Sequence, residues 1–386
     1  MKPYDRVATV LSGGVPDRPP IIVGVSNATG IKMAAYKNLL RHLKETEGVD
    51  LDPEPRYIYD WPELGTALAS EGVLQRLGTD VRPVHDRFPE ATGEYNRARP
   101  EHSDYIDDWG SGAVEVRPGE WYPGRHPLKD ATSVEELKAY PHWPDMDDPY
   151  RVSHVRAAAR GIREAGTYAV MATPWLLFPL ERAFAMQGMD RFLLNLSLNP
   201  DFAAALLAKT TDLSIRLMAH FLDELGPNVD IIKIGDDLGT QENLLMSPDM
   251  YREFLKPCHR RLIEAIRSHS SAKVFFHTDG DVFPLIDDFI EIGVDILNPI
   301  QTSAGRMSDL KALKERCGDS LVLCGAIDTQ HVLPHGTPQE VRDETRRVCS
   351  ILGEGGGYMV ASVHTIMNEV PPENILAMVD GVRELG

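Results

Sequence analysis

Apolar residues in the second half of the chain fall into short runs that are separated by longer amphipathic stretches. Six runs are apolar almost throughout, as is typical of parallel strands buried on both faces; they cover residues 168–173, 229–235, 272–277, 294–300, 321–327 and 357–363. Two more runs, at 19–25 and 81–87, lie upstream. Eight strands alternating with helices predict an α/β protein, and they favour a closed (β/α)8 TIM barrel over an open doubly wound sheet.

The ends of the predicted helices carry ordinary start and stop signals. Ser247-Pro248 and Thr337-Pro338 fit an N-cap followed by a proline in the first turn. Gly293, Gly318 and Gly353 fit C-terminal stops. These signals support helices between the apolar runs.

The first half of the chain is less regular and is rich in Pro, Tyr and Trp. Residues 82–150 read as long connections, which commonly serve binding or cover a site. We therefore predict one barrel domain over residues 1–386, with a loop-rich insertion at 88–150 near the mouth of the barrel. His85 falls in this region and is expected to be solvated.

Composition narrows the classes of partner and compartment. The chain has 386 residues, of which 42% are hydrophobic and 25% charged, and its formal net charge is −18. This charge disfavours nucleic acids and anionic membranes as ligands. We find no apolar run long enough for a membrane span or a signal-peptide core. The 4 cysteines form no C-x-x-C pair, so a reducing cytoplasm is the expected location.

Polar side chains follow nearly every predicted strand. They are Ser26 and Asn27, Asp236 and Asp237, His277 to Asp279, Asn298 and Gln301, Asp328 and Gln330, and Ser362 and His364. Because the carboxyl ends of barrel strands converge on one face, where active sites form, these clusters predict an active-site mouth.

The sharpest pair is His277 and Asp279, because residues two apart on a strand point to the same side. His364 follows the last strand, and the three together offer two imidazoles and one carboxylate. Such a set leaves open coordination positions for a catalytic zinc, and non-haem iron is an alternative. A metal-free reading also stands, in which Asp279 caps a helix and His364 is a general acid or a hydrogen-bond partner of the substrate.

Further candidates surround this predicted metal site. Asp236 or Asp237 could take a proton or orient a liganding imidazole, and a helix N-cap pair is the alternative. Candidate contacts for a small-molecule substrate are Asn27, Trp109, Trp175, Gln241, Asn298, Gln301 and Asp328. Cys324 lies within an apolar strand and is expected to be a core residue.

From about Ala172 onward the chain resembles the uroporphyrinogen decarboxylase superfamily. The resembling segments include DIIKIGDDLGTQENLLMSPDMYREFLKP, VFFHTDGDVFPLIDDFIEIGVDILNPIQ, LCGAIDTQHVLPHGTPQEV and VHTIMNEVPPENILAMVDGV. The superfamily includes true uroporphyrinogen decarboxylases and metal-dependent methyltransferases that work with corrinoid proteins. The resemblance implies a (β/α)8 barrel and, in the methyltransferase branch, a zinc site with His-x-Cys and a later Cys as ligands.

The chain matches the ligand pattern of that zinc site only in part. His277 matches the first ligand, Asp279 stands where the second Cys would be, and His364 lies seven residues before Pro371 at the third position. Decarboxylases also carry a His there. The resemblance thus implies a harder nitrogen and oxygen site, suited to a substrate that contains oxygen. Family members are often dimers, so a homodimer is possible.

Three functions remain open from the sequence. The leading one is a methyltransferase or demethylase with zinc or another divalent metal, which transfers a methyl group to or from a separate corrinoid protein, since the chain lacks the D-x-H-x-x-G corrinoid signature. The second is a metal-free decarboxylase of a small acid or a porphyrinogen-like substrate, with His364 and Asp80 handling protons. The third is a non-catalytic partner of a corrinoid protein.

Overall fold

A computed structural model of the chain describes residues 1–60, 64–97, 104–117, 120–175 and 178–386. The strands in chain order are β1 (Arg56–Tyr57), β2 (Ala67–Leu68), β3 (Val81–Val84), β4 (Asp104–Ile106), β5 (Gly112–Arg117), β6 (Glu120–Arg125), β7 (Ala169–Ala172), β8 (Ile231–Gly235), β9 (Lys273–His277), β10 (Ile296–Ile300), β11 (Val322–Ile327) and β12 (Tyr358–Ser362).

The helices surround the strands and connect them. They are α1 (Pro3–Leu11), α2 (Met33–Glu47), α3 (Glu71–Leu77), α4 (Glu90–Arg97), α5 (Val134–Ala139), α6 (Val155–Ala165), α7 (Pro179–Gln187), α8 (Met189–Leu198), α9 (Pro200–Leu225), α10 (Pro248–Met250), α11 (Lys256–His269), α12 (Ile286–Ile292), α13 (Leu310–Cys317), α14 (Val332–His335), α15 (Pro338–Leu352) and α16 (Pro372–Arg383). Within the ranges that the structure describes, no helix is both long and apolar enough to cross a bilayer.

Seven strands form one curled parallel sheet in the order β12, β11, β10, β9, β8, β7 and β3. The prediction of a parallel α/β protein is confirmed, and the arrangement is consistent with a TIM-barrel-like fold. Seven of the eight predicted runs contain these strands. The exception is residues 19–25, where Ile21 forms a single parallel bridge with Val360.

Residues 20–22 nevertheless bond to both edges of the sheet. The Ile22 N–H donates to the carbonyl of Val360 at 2.8 Å, and the Asp80 N–H donates to the carbonyl of Ile21 at 2.9 Å. Pro20 lies in this segment and has no N–H to give to a ladder. The segment therefore lies between β12 and β3 without the regular pairing that would make it a strand.

Side chains from every strand of the large sheet meet in a small apolar cluster on its inner side. One or two residues come from each strand, and Val7 and Val10 of α1 close the cluster at one end; the strand members are Val81, Ala169, Met171, Ile231, Phe275, Ile296, Cys324, Met359 and Ala361. The other face of each strand packs against the helices in the main core. Cys324 is fully buried here, as expected for a core residue.

The region predicted as a loop-rich insertion contains regular structure. The strands β4, β5 and β6 form a three-stranded antiparallel sheet, and α5 begins with a capping box between Ser133 and Glu136. The buried guanidinium of Arg182 on α7 binds Asp107 of this region at 2.6 Å. This ion pair attaches the insertion to the helix that follows β7.

The predicted helix boundaries are confirmed. Ser247 accepts a hydrogen bond from the Met250 N–H at the start of α10, and Thr337 forms a capping box with Glu340 at the start of α15. Gly293, Gly318 and Gly353 are the C-caps of α12, α13 and α15. Local sequence therefore sets these helix ends, and through them the positions of the strands between them.

Candidate metal centre

The side chains of His277, Asp279 and His364 meet at the carboxyl ends of β9 and β12. One ligand atom from each residue lies within 4.8 Å of the others. Asp279 Oδ2 is 3.9 Å from His277 Nε2 and 3.7 Å from His364 Nε2. The structure thus brings together the three residues that the sequence suggested as metal ligands, 85 residues apart between the last two.

The loop that carries Asp279 is held by the neighbouring loops on both sides. The Asp279 N–H donates to Asp237 Oδ1 at 3.0 Å, and the Gly280 N–H donates to Gln301 Oε1 at 2.7 Å. Gly280 has φ +94°, and a Cβ there would lie 2.3 Å from the carbonyl carbon of Gly239. Only glycine permits that approach, so the position of the Asp279 carboxylate is fixed by its surroundings.

Asn298 fixes the tautomer of His277. Its Oδ1 lies 2.7 Å from His277 Nδ1, and its Nδ2 donates to the carbonyl of Cys324 at 3.3 Å. Because that carbonyl can only accept, the amide must turn its oxygen to the histidine, so Nδ1 carries the proton. Nε2 then presents its lone pair to Asp279 and His364, which is the arrangement of a metal-bound histidine supported from behind.

The three ligand atoms fit a divalent cation. Two ligands of a tetrahedral zinc ion, each bound at about 2.1 Å, lie about 3.4 Å apart, close to the 3.7 and 3.9 Å observed here. Asp279 Oδ1 is buried and makes no hydrogen bond to any residue that the structure describes. Buried carboxylate oxygens are rarely left without a partner, and a cation bound to the Asp279 carboxylate would supply one.

Electrostatics favour a neutral His277, which is the form that binds metal. Burial lowers the pKa of His277 well below its usual value, and the charge of Lys233 lowers it further. Burial also raises the pKa of Asp279 well above its usual value, and the neighbouring carboxylate of Asp237 adds to that rise. A bound cation would reverse the second effect, because positive charge favours the ionised carboxylate.

Sequence reasoning missed two charged residues near this centre. Lys233, in the middle of β8, and Glu181, in the first turn of α7, interact electrostatically with Asp237 and Asp279. Burial raises the pKa of Glu181 well above its usual value, and Asp237 raises it further. A lysine inside the apolar run VDIIKIG was the available signal for the first of these residues.

A group of aromatic rings lies at the carboxyl ends of β3 and β7. Tyr59 packs against His85 at 5.1 Å and against Trp175 at 5.3 Å between ring centroids, and Trp175 also contacts Phe88 at 6.1 Å. Trp175, a predicted substrate contact, is half-buried and therefore keeps an accessible part. We call Tyr59, His85, Phe88 and Trp175 the aromatic wall.

The expectation that His85 is solvated is wrong. Burial lowers the pKa of His85 to about 4. Its Nδ1 lies 2.5 Å from the hydroxyl of Thr173, and its Nε2 is buried without a partner among the described residues. The apolar pattern predicts one strand over 81–87, whereas β3 ends at Val84, so His85 and Asp86 are strand-end residues like the other polar clusters.

Asp86 is the other polar residue at this strand end. Its Oδ1 accepts a hydrogen bond from the Trp175 N–H at 2.6 Å. Burial raises the pKa of Asp86 to about 7, although the Trp175 N–H opposes the rise. A carboxyl group in this range can donate or accept a proton near neutral pH.

The two adjacent aspartates after β8 have different surroundings. Asp236 is buried; its carboxylate accepts hydrogen bonds from the Leu180 and Glu181 N–H groups at 3.0 and 2.8 Å and lies 2.8 Å from His259 Nε2. It thus accepts from N–H groups in the first turn of α7, which have no hydrogen-bond partner within the helix. Asp237 is the member of the pair that touches the Asp279 loop.

The other predicted substrate contacts are scattered. The Asn27 carbonyl accepts a hydrogen bond from the Thr365 hydroxyl beside His364, which brings Asn27 to the mouth. Trp109 is 2% exposed and is covered by Arg182 and Trp143, so no face of its ring is open to a substrate. Gln241 is exposed to solvent.

Three other predicted substrate contacts, Asn298, Gln301 and Asp328, use their side chains in hydrogen bonds within the protein. Asn298 and Gln301 support His277 and the Asp279 loop, as described above. Asp328 uses both carboxylate oxygens locally, accepting from the Gln330 N–H at 2.7 Å and lying 3.0 Å from His331 Nδ1.

Asp80 lies at the opposite end of the sheet from the metal centre. It precedes β3, and its buried carboxylate binds Arg6 at 2.6 Å, Arg18 at 2.9 Å and the Ile21 N–H at 2.7 Å. His364 follows the carboxyl end of β12. The structure therefore does not bring together the His364 and Asp80 pair that the metal-free decarboxylase hypothesis used.

Comparison with known proteins finds a matching family and two kinds of relative. Residues 116–385 match the Uroporphyrinogen decarboxylase (URO-D) family. A uroporphyrinogen decarboxylase of Legionella pneumophila is 25% identical over 271 residues, covering 67% of this chain and 70% of the relative. A methylated-thiol–coenzyme M methyltransferase of Methanosarcina mazei is 24% identical over 243 residues, covering 63% of this chain and 61% of the relative.

The solved structure of a methyltransferase from Methanosarcina mazei has the same fold along its whole length. The TM-score is 0.65 at 20% sequence identity, and the match covers 100% of this chain and 99% of the other. The fold and the site thus define the class of the protein. It is a parallel α/β protein with polar residues gathered at the carboxyl ends of its strands. The chain belongs to the uroporphyrinogen decarboxylase (URO-D) superfamily, a superfamily of enzymes.

Proposed function

We propose that this protein is a metal-dependent methyltransferase or demethylase, which moves a methyl group between a small substrate and a separate corrinoid protein. The observation that carries the proposal is the convergence of His277, Asp279 and His364, with Asp279 Oδ1 buried and unpartnered. The proposal takes the fold as a closed (β/α)8 barrel, with residues 19–25 in the place of the first strand. It also takes 88–150 as an insertion that shapes the pocket.

Each residue of the site has a separate role in this proposal. His277, Asp279 and His364 would hold zinc or a similar divalent ion, which supplies Lewis acidity to the heteroatom that carries the methyl group. Asn298 keeps the proton of His277 on Nδ1, and Asp237 holds the Asp279 loop through its backbone. The aromatic wall limits access of water on the side of β3 and β7. Glu181 and Asp237, whose carboxyl groups hold protons readily, can exchange a proton with the substrate's heteroatom.

The chain's departures from the thiolate pattern bear on the substrate. A site made of nitrogen and oxygen donors is harder than one with two cysteines, and it suits oxygen-containing ligands better than thiols. The names of the Methanosarcina proteins support methyl transfer. Because the sequence holds no corrinoid signature, the acceptor or donor corrinoid would be carried by a partner.

Metal analysis of the purified protein tests the proposal. We expect about one zinc or similar ion per chain in the wild type, and a large loss in His277→Ala and in Asp279→Ala. His331→Ala is the matched control, since His331 is an exposed histidine paired with Asp328 outside the triad. A wild type that takes up no more metal than the two ligand variants, even after incubation with zinc, would contradict the proposal.

Decarboxylation of a small acid is the second candidate, and Asp86 is the observation that favours it. Its pKa of about 7 and its place beside the aromatic wall suit proton delivery to a carbanion. The two functions differ in their response to chelators. Activity that survives removal of all metal but is lost in Asp86→Asn would favour the decarboxylase, and activity that needs metal would favour methyl transfer.

A further inference from the structure

Lys233 lies on the inner side of the sheet, below the metal centre. In the register of β8 with β9, Lys233 pairs with Phe275, and Gly235 pairs with His277. Phe275 belongs to the inner apolar cluster, and side chains two apart on a strand share a side. Lys233 therefore points into the interior, one step below the level of His277.

The ammonium group of Lys233 has no partner. The residue is 6% exposed, yet its Nζ makes no hydrogen bond or ion pair with any residue in the described part of the chain. Five other lysines and arginines of that part are at most 9% exposed, and each binds a carboxylate; they are Arg6, Arg82, Arg151, Arg182 and Lys256. Since an unpaired buried charge is costly, Lys233 is the exception that calls for a ligand.

No side chain of β8 stands between Lys233 and the mouth. The next residue on the same side of the strand is Gly235, and the backbone of His277 lies so close to it that a Cβ there would be 2.2 Å from the His277 carbonyl oxygen. In the order of the sheet, β8 lies between β9, which carries His277, and β7 and β3, whose carboxyl ends carry the aromatic wall. The ammonium is thus placed between the metal centre and the aromatic wall.

We propose that Lys233 binds an anionic oxygen group, a carboxylate, of the small-molecule substrate. The identification of this ligand as the substrate rests on the proposed function above. With its carboxylate on Lys233, a small molecule would lie between the aromatic wall and the triad, and its other end would reach the metal centre. The substrate class is therefore a small carboxylate whose apolar body contacts aromatic rings.

The competing explanation is that Lys233 neutralises the acids around it. Glu181, Asp237 and Asp279 are near enough to interact through their charges, but none of them comes within ion-pair distance of Nζ. A lysine that served only to balance these acids would be expected to contact one of them, as Lys256 contacts Asp288 at 2.7 Å. The two explanations make opposite predictions for Lys233→Met.

The binding experiment uses benzoate and benzamide, which have nearly the same shape and differ in charge. Calorimetric titrations are run on the wild type, Lys233→Met and Lys311→Met, each metal-free and zinc-loaded. Lys311 is an exposed lysine on α13 and provides the matched control. We expect benzoate to bind the wild type about 10- to 100-fold more tightly than Lys233→Met, as for one charge-assisted hydrogen bond, with benzamide unaffected.

Several results would overturn the proposal. Equal affinity of the wild type for benzoate and benzamide would do so, as would a charge preference that Lys233→Met retains, or no binding of either compound. Because the metal-free proteins are titrated as well, the result does not depend on zinc. A protein that takes up no zinc but shows the lysine-dependent preference would contradict the proposed function and leave this inference standing.

Thermal unfolding separates a binding lysine from a structural one. Methionine fills nearly the same volume without a charge to desolvate, so we expect Lys233→Met to be at least as stable as the wild type. A lower melting temperature than that of the wild type would identify Lys233 as a structural counter-ion and overturn the proposal.

Discussion

Strand β3 carries a buried aspartate just outside each of its ends. Asp80 precedes the strand and Asp86 follows it, and they are 0% and 2% exposed. The carboxylate of Asp80 is held by two arginines and a backbone N–H. Asp86 has the Trp175 N–H at 2.6 Å and a pKa raised by burial to about 7.

The same contrast extends to the two ends of the sheet. At the amino end, Arg6, Arg18, Asp17 and Asp80 satisfy one another in a connected network. At the carboxyl end, Asp279 Oδ1 and His85 Nε2 are buried and have no hydrogen-bond partner among the described residues. In TIM barrels the amino end serves stability and the carboxyl end serves catalysis, and the contrast between the two ends of this sheet is consistent with that division.

The largest effect is expected for Asp80→Asn. Removing this charge leaves the buried Arg6 and the half-buried Arg18 beside a neutral amide and should cost about 3–5 kcal/mol of unfolding free energy. Asp86→Asn should leave the protein at least as stable as the wild type at pH 7, because the amide can still accept from the Trp175 N–H and has no charge to desolvate. Urea unfolding of both variants measures the difference, and equal losses would remove the contrast between the two ends.

The next effect is a dependence of stability on pH that Asp86 causes. Its raised pKa means that the folded chain keeps this proton between about pH 4 and about pH 7, whereas the unfolded chain releases it above about pH 4. Stability should therefore fall as the pH rises through this window, by at most about 1.4 kcal/mol per unit.

Asp86→Asn is the reference for that measurement, because the amide exchanges no proton. Urea unfolding of the wild type and the variant is compared at several pH values, so that the other titrating groups cancel. The wild type should lose stability relative to the variant up to about pH 7 and run parallel to it above. Parallel curves over the whole range would show that Asp86 is ionised in the folded chain.

A smaller effect is expected for Asn298→Ala in zinc binding. Removal of the group that orients a liganding histidine commonly weakens metal affinity by about 10- to 100-fold. Asn38→Ala, in an exposed hydrogen bond with Arg41 on α2, is the control. Competition titrations with a chromophoric chelator give the affinities, and an unchanged value for Asn298→Ala would mean that His277 needs no such support.

The smallest effect is a comparison of two glycines with positive φ. Gly318, before β11, has φ +52° with open space around it, whereas Gly280 at the carboxyl end has φ +94° and touches Gly239. Alanine at Gly318 should cost about 1–2 kcal/mol from backbone strain alone, whereas at Gly280 a clash of the Cβ with the Gly239 backbone adds to the strain. Only Gly280→Ala should also weaken zinc binding, since it displaces the Asp279 loop; an equal zinc affinity in both variants would contradict this.

Much of the fold was predictable because local sequence decides it. The seven strands coincide with apolar runs, and the caps at Ser247 and Thr337 follow from hydroxyl side chains placed before a proline. The failure at residues 19–25 has a local cause as well, since Pro19 and Pro20 cannot donate to a ladder. The small sheet of β4 to β6 was missed because its strands are short and partly exposed, so they show little apolar pattern.

The site was predictable where a residue type and a strand end coincided. That rule picked out His277, Asp279 and His364, whose roles as ligands stay a prediction. It could not separate Asp236 from Asp237, because the choice depends on His259 and the start of α7, which are distant in sequence. Asp80 was proposed from the family resemblance instead, and the rule missed Asp86 because the run at 81–87 continues past Val84, where β3 ends.

The segment at residues 20–22 has a consequence for how the protein is made. It forms hydrogen bonds with Val360 of β12 and with Asp80 just before β3. Nearby, Asn27 contacts Thr365 across 338 residues of sequence. Contacts between such distant residues form slowly, because a long loop must close first. A ribosome must therefore release the chain past β12 before His364 can join His277, so the site forms only after every strand of the large sheet has been synthesised.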